Sequence, residues 1–162
     1  MSVNFFQANC QSNTAATSFG ICDNQNGTAA FIDIANPLEW IAKANNENAI
    51  VVTLIAVDNC ITILRPDGNM DNRCDAMLTY TDNIVFVELK NQRVDWITDA
   101  VNQIETTINN FISNHDINLF KHKRAFAANK RHPYFNNGNP ERSQRFFSQY
   151  KVRLNIEATI KI

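Results

Sequence analysis

Apolar and polar positions along this chain change period several times, and each change marks an element. The run IVVTLIAV at 50–57 is nearly continuous and β-branched, as in a strand buried on both faces. CDAMLTY (74–80) and IVFVELK (84–90), separated by Thr81-Asp82-Asn83, read as an antiparallel hairpin. Residues 17–22 and 28–34 form a shorter pair around Asp23-Asn24-Gln25-Asn26-Gly27, whose Asn-Gly supplies the left-handed backbone of a tight turn. CITIL (60–64) predicts one more short strand, followed by a loop at Arg65-Pro66-Asp67-Gly68-Asn69. Asn36-Pro37 reads as an N-cap and first helical position, which predicts a short helix to about Asn45 with Leu38, Ile41 and Ala42 on one face. From 94 to 113 the period becomes helical, with Val94, Ile97, Val101, Ile104, Ile108 and Phe111 spaced by threes and fours. RAFAAN (124–129) predicts a strand, 133–140 a loop and 140–149 a short helix. VRLNIEATIKI (152–162) predicts a final strand with Val152, Leu154, Ile156, Ala158, Ile160 and Ile162 on one face. Trp40 and Trp96, each at the edge of a predicted helix, suit packing anchors.

These elements make an α/β (α+β) protein, a mixed sheet flanked by helices. Its 162 residues correspond to about one domain, and no repeat or linker divides them. No apolar run reaches the roughly 20 residues needed to cross a bilayer. The opening MSVNFFQANCQSN has neither a basic segment nor a long apolar one, so a cytoplasmic location is expected. The four cysteines (Cys10, Cys22, Cys60, Cys74) form no CxxC pair, which argues against structural zinc and predicts reduced, mostly buried thiols.

Charge is distributed unevenly. Residues 1–120 hold five basic and fourteen acidic side chains, whereas residues 121–162 hold ten basic and two acidic. The basic quarter contains Lys121, Lys123, Arg124, Lys130, Arg131, Arg142 and Arg145, with His132, interleaved with Phe126, Tyr134, Phe135, Phe146, Phe147 and Tyr150. Cations beside rings suit nucleic acid, since phosphates attract the former and bases stack on the latter. Solvated cations over core aromatics would give the same composition.

The strand 84–90 carries the candidate chemistry. Ile84, Phe86, Glu88 and Lys90 share one face, and Val85, Val87 and Leu89 the other, so two opposite charges enter an otherwise apolar strand at its end. The antiparallel hairpin returns Asp75 to the level of Glu88. Asp75, Glu88 and the Leu89 carbonyl would then offer hard oxygen ligands for Mg²⁺ or Mn²⁺, with Lys90 beside them to orient a water or stabilise charge. An ordinary cross-strand salt bridge fits the same three residues.

Asp75, a turn, then Glu88-Leu89-Lys90 and a helix (CDAML-x₇-FVELKN) resembles the PD-(D/E)XK nuclease superfamily over roughly residues 37–129. The resemblance implies a restriction-endonuclease-like α-β-β-β-α-β core, a catalytic Asp75, Glu88 and Lys90, and a Mg²⁺- or Mn²⁺-dependent cut of a phosphodiester bond in nucleic acid, with DNA as the expected substrate. It further implies an acid on the first core helix, for which Glu39 is the candidate and Glu47 lies just beyond. It also implies a glutamine on the helix after the motif, here Gln103. The tyrosine that RecB-like members carry a few residues later is replaced by Thr106, Thr107 and Ile108, and Cys74 stands where the motif's name has proline.

His115, His122 and His132 have no spacing for a metal or a nucleophile triad, and no GxGxxG, GxxxxGK[ST] or GxSxG occurs. Lys130-Arg131-His132 follows the strand expected beside the motif and could hold phosphate. So small a domain lacks an evident sequence-reading module, so a homodimer or a partner that gives specificity is expected. The alternative function is a regulatory module of the same fold that binds nucleic acid or protein without turnover.

Overall fold

A computed structural model describes residues 2–135 and 139–162. In chain order the strands and helices are β1 (Gln11–Thr14), β2 (Ser18–Cys22), β3 (Phe31–Asp33), β4 (Ala42–Asn45), β5 (Val52–Ala56), β6 (Ala76–Tyr80), β7 (Asn83–Lys90), α1 (Ile97–Asn114), β8 (His122–Asn129), α2 (Pro140–Tyr150), β9 (Arg153–Asn155) and β10 (Thr159–Lys161). They form two mixed sheets and two α-helices, an α+β architecture. The larger sheet has the order β1-β5-β6-β7-β8-β9, and the smaller β10-β4-β2-β3. Strands β1, β5, β6 and β7 pair antiparallel, while β7, β8 and β9 run parallel. Parallel neighbours need a crossover, which α1 and α2 supply.

Burial follows from this layering. One face of the six-stranded sheet presents Ile55, Met77, Ile84, Phe86 and Ala125 to Ile104, Ile108 and Phe111 of α1 and to Phe146 and Tyr150 of α2. The other face presents Leu54, Leu78, Val85, Val87 and Phe126 to Phe19, Ile21, Ala42 and Ala44 of the four-stranded sheet. Strand β7 is therefore apolar on both faces because it has a layer on each side. No helix among the described residues is long and apolar enough to cross a membrane.

Five expectations from the sequence are corrected. Residues 37–45 do not form an α-helix: a 3₁₀ turn at Pro37–Glu39 is followed by β4. Ala42 and Ala44 are buried while Lys43 is exposed, and β4 is held by β2 on one side and β10 on the other. CITIL forms no strand: Ile61 and Ile63 enter the core from a turn, and its end meets only the short return at 69–71, through one isolated Leu64–Met70 bridge and a bond from the Asp71 amide to the Ile63 carbonyl. The final strand is two: β9 joins the large sheet and β10 the small one, so Leu154 and Ile156 serve one core and Ala158 and Ile160 the other. Cys10 and Cys60 are not thiols but a disulfide, while Cys22 and Cys74 are free and buried. Helix α1 also begins later than expected. Val94 lies outside it and is exposed, and Trp96 fills the buried position at its start. Within the loop expected at 133–140, residues 136–138 lie outside those described.

Gly20 on β2 has a specific packing reason. A Cβ there would lie 2.0 Å from Cγ of Trp40, whose Nε1 donates to Asp33 Oδ2 at 2.7 Å and fixes the indole. Gly20→Ala should therefore destabilise at the upper end of the roughly 1–3 kcal/mol seen for overpacked cores, read as a lowered urea midpoint. A midpoint equal to the parent's would show that the indole moves freely.

Candidate functional site

The site lies where β6 begins and β7 ends. Ala76 pairs with Val87, which sets Asp75 opposite Glu88 just beyond the ladder. Asp75 is fixed on every side. Its carbonyl accepts from the amides of Val57 (2.9 Å) and Asp58 (3.4 Å) after β5, and its own amide donates to Glu88 Oε1 at 3.1 Å. Its Oδ2 accepts from the Leu89 amide at 2.7 Å. The two carboxyl groups lie within hydrogen-bonding reach of each other. Both are buried, with Glu88 only 2% exposed.

Lys90 and Gln103 complete this cluster. Lys90 Nζ is 3.1 Å from Glu88 Oε2 and donates to Gln103 Oε1 at 2.5 Å. Gln103 Nε2 donates to the Arg73 carbonyl at 3.4 Å, so α1 is tied both to the lysine and to the segment leading into Asp75. An ammonium has three N–H groups and two are engaged here, which leaves one for a further acceptor. Among the expected metal ligands, Leu89 turns its amide toward Asp75. The carbonyl of the same residue in an extended strand points to the same side.

Burial, and for Asp75 the neighbouring Glu88 charge, shape the protonation of the pair. Burial first, then the neighbouring Glu88 charge and contact with Asp23, push Asp75 up to about 10. Burial also pushes Glu88 up, to about 7, against the opposing pull of Lys90. Carboxyls this costly to ionise are a feature of sites whose charge is balanced by something bound. The donor set is two carboxylates and a backbone carbonyl, without thiol or imidazole. That chemistry fits Mg²⁺ or Mn²⁺, which often take only one or two protein carboxylates along with water and substrate oxygens. No group of three His, Cys, Asp or Glu side chains placed to hold a metal ion occurs among the described residues.

Glu39 does not lie on a core helix as expected. It lies on the exposed 3₁₀ turn and pairs with Lys130 at 3.5 Å. The carboxyl that does reach Asp75 from the smaller sheet is Asp23, in the turn after β2. In the sequence Asp23 reads only as a turn residue. Two other buried groups were also missed. Thr107 Oγ1 accepts from the Cys74 amide at 2.7 Å and so anchors the residue before Asp75 to α1. Asn129, at the end of β8, exchanges hydrogen bonds with the Gln92 backbone (2.7 and 3.2 Å) and holds the loop leaving Lys90. A polar residue on an otherwise buried stripe was the available signal for Thr107.

The basic quarter does not form one surface. Lys130, Arg131 and His132 follow β8 at the Lys90 end: the Lys130 amide donates to the Lys90 carbonyl, Arg131 Nε to Asn91, and His132 stacks on Trp96. Arg142 and Arg145 on α2 face Asn102 and Glu105 of α1 across a cavity of about 280 Å³. Lys121, Lys123 and Arg124 lie at the start of β8, where His122 pairs with Asn83 at the opposite end of β7 from Lys90.

Comparison with protein-family models, with characterised proteins and with solved structures finds no match for this chain.

Proposed function

We propose that this chain is a metal-dependent nuclease of the PD-(D/E)XK type that hydrolyses phosphodiester bonds in nucleic acid, DNA being the first substrate to test. One observation carries the reading: two buried carboxyls in contact, one of them paired with a lysine that keeps a donor free, at the open end of a central hairpin. The helix between β7 and β8 and the order β5-β6-β7-β8 also support it. Asp75 and Glu88, with the Leu89 carbonyl, would hold Mg²⁺ or Mn²⁺. Such an ion, when bound, would polarise a phosphodiester oxygen and acidify a water.

The chain's own groups supply the rest. Lys90 keeps one N–H for the attacking water or for a phosphate oxygen gaining charge. Gln103 and Glu88 hold the ammonium in place, Thr107 holds Cys74 and Val57 holds Asp75. Lys130 and Arg131, beside the loop that leaves Lys90, would take flanking phosphates.

A second reading, a nucleic-acid-binding module without turnover, draws on one feature. The Glu88 and Asp75 oxygens are already engaged by Lys90 and by the amides of Asp75 and Leu89. End-labelled duplex DNA, single-stranded DNA and RNA, each with Mg²⁺, Mn²⁺ or EDTA, separate the two. The nuclease cuts at least one of them, EDTA stops it, and Lys90→Ala lowers the rate by roughly 10²–10³-fold. Failure to cut any of them, together with no heat of Mn²⁺ binding, would leave the second reading.

A further inference from the structure

Seven residues of β7 separate Asn83 from Lys90, about 23 Å at ~3.3 Å per residue. The end near Asn83 carries a feature with no part in the site above. A cleft of about 450 Å³ is lined by Lys121, Lys123, Arg124, Lys151 and Arg153, with Phe147 among them, and no carboxylate lines it. None of these five cations forms an ion pair among the described residues, whereas Arg65, Arg73, Lys90 and Lys130 all do. Two of the five, Lys151 and Arg153, belong to the basic quarter but not to the cations expected from the sequence to contact nucleic acid. Lys151 Nζ and the Arg153 guanidinium lie 5.7 and 5.4 Å from the centre of the Phe147 ring, which gathers them at one wall. Arg124 is braced by Tyr80 (2.6 Å) and by the Lys161 carbonyl (2.8 Å). Like charges gathered without counter-charges repel one another, an arrangement that a bound polyanion relieves.

Lys151 adds an independent sign. It closes α2 with φ 58° and ψ 28°, a left-handed position where glycine is the residue at ease. A lysine there is a poorer choice for the fold and a better one for an anion.

We propose that this cleft is a second nucleic-acid contact, a distal anchor for the phosphate backbone. It is distinct from the cutting site, and Lys151 and Arg153 are its principal cations. The class of ligand follows from several separate cations spread along a cleft open to solvent, which suits a chain of phosphates. If the nuclease reading also holds, one substrate spans both places. Duplexes shorter than about 7 base pairs, at 3.4 Å per pair, then lose the anchor.

The test measures binding in EDTA, where nothing is cut. A fluorescent 30-base-pair DNA duplex and an RNA duplex of the same length are titrated from 50 to 200 mM salt. The proteins are the parent, Lys151→Gly/Arg153→Gln, and the charge-matched control Lys43→Ala/Arg65→Ala. We expect the cleft variant to bind at least one duplex about 10-fold or more weakly, with the salt slope reduced by about 2. The control should bind like the parent. The duplex bound more tightly by the parent names the natural backbone. Lys151→Gly alone should melt no lower than the parent while binding more weakly, which a purely structural lysine would not do. Parent-like affinity in the cleft variant overturns the proposal, as does absence of binding by the parent, which would leave the cleft to an acidic protein. Asp75→Asn in the same titration keeps the two readings apart: binding that survives it while cutting stops supports both. Metal-dependent cutting by a parent whose cleft variant binds normally would remove the anchor and leave the nuclease.

Discussion

Asp75→Asn should abolish metal-dependent cutting and at the same time make the protein harder to unfold. The loss of rate is expected to be at least ~10²–10³-fold, since the amide removes a charged oxygen from the candidate metal site. The gain in stability comes from the same atom. Asparagine still offers an oxygen to the Leu89 amide, but it cannot ionise beside Glu88. Asp75 is pushed from 3.8 to about 10, and Glu88 from 4.5 to about 7, mainly by burial. The folded state therefore binds more protons than the unfolded one between pH 4 and those values. The stability these groups contribute is fully present below about pH 4. It falls as pH rises, through about 7 for Glu88 and on toward 10 for Asp75. The advantage of Asp75→Asn should thus be small near pH 4 and grow to about 1–3 kcal/mol at pH 8. At this chain length that is a rise of very roughly 2–12 °C in melting temperature. Mg²⁺ should raise the melting point of the parent and not of the variant, because only the parent offers both carboxylates. A variant that melts below the parent at pH 8 would show that folding carries no cost of keeping a proton on Asp75.

Reduction of Cys10–Cys60 is the second large effect. The bridge joins residues 50 apart in sequence. Releasing a loop of that size frees the unfolded chain by about 4 kcal/mol in the entropic account. Melting with and without a thiol reductant should differ by roughly 8–16 °C, and Cys60→Ser should reproduce the reduced curve. Cys22 and Cys74, both buried with raised thiol pKa values, should not react with a thiol reagent until the protein unfolds. A difference below about 1 kcal/mol would mean that the contacts of Phe5 with Phe111 and His115 hold the amino-terminal segment without the bridge.

Residues 50–57, 74–90 and 97–114 were legible because each carries a long, single-period pattern and is buried by near neighbours. The meeting of Asp75, Glu88 and Lys90 was legible too, since a tight antiparallel turn fixes the register, whereas Gln103 came only from the resemblance. The failures share a different cause. Strand β4 spans four residues, too few for Ala42 and Ala44 to announce alternation, and half of its pairing comes from a strand at the far end of the chain. CITIL alternates correctly but meets only a short return at 69–71, and a strand is a relation between segments. In 152–162 the alternation was right, but the chain passes from one sheet to the other at Ile156–Ala158, so one pattern serves two cores. Asp23 could not be placed beside Asp75 from sequence, because that contact depends on how the two sheets stack.

The parallel pairing of β10 with β4 also sets a timetable for synthesis. Thr159 lies opposite Lys43, so about 116 residues must be added before β4 acquires that neighbour, roughly 6–23 s at ribosomal rates. During that interval the nascent chain can pair β4 only with β2, and the other rim of β4 stays open to any passing strand. Lys43, exposed in the middle of β4, places a charge on that rim for the whole wait and discourages neighbouring ribosomes' products from zipping onto it.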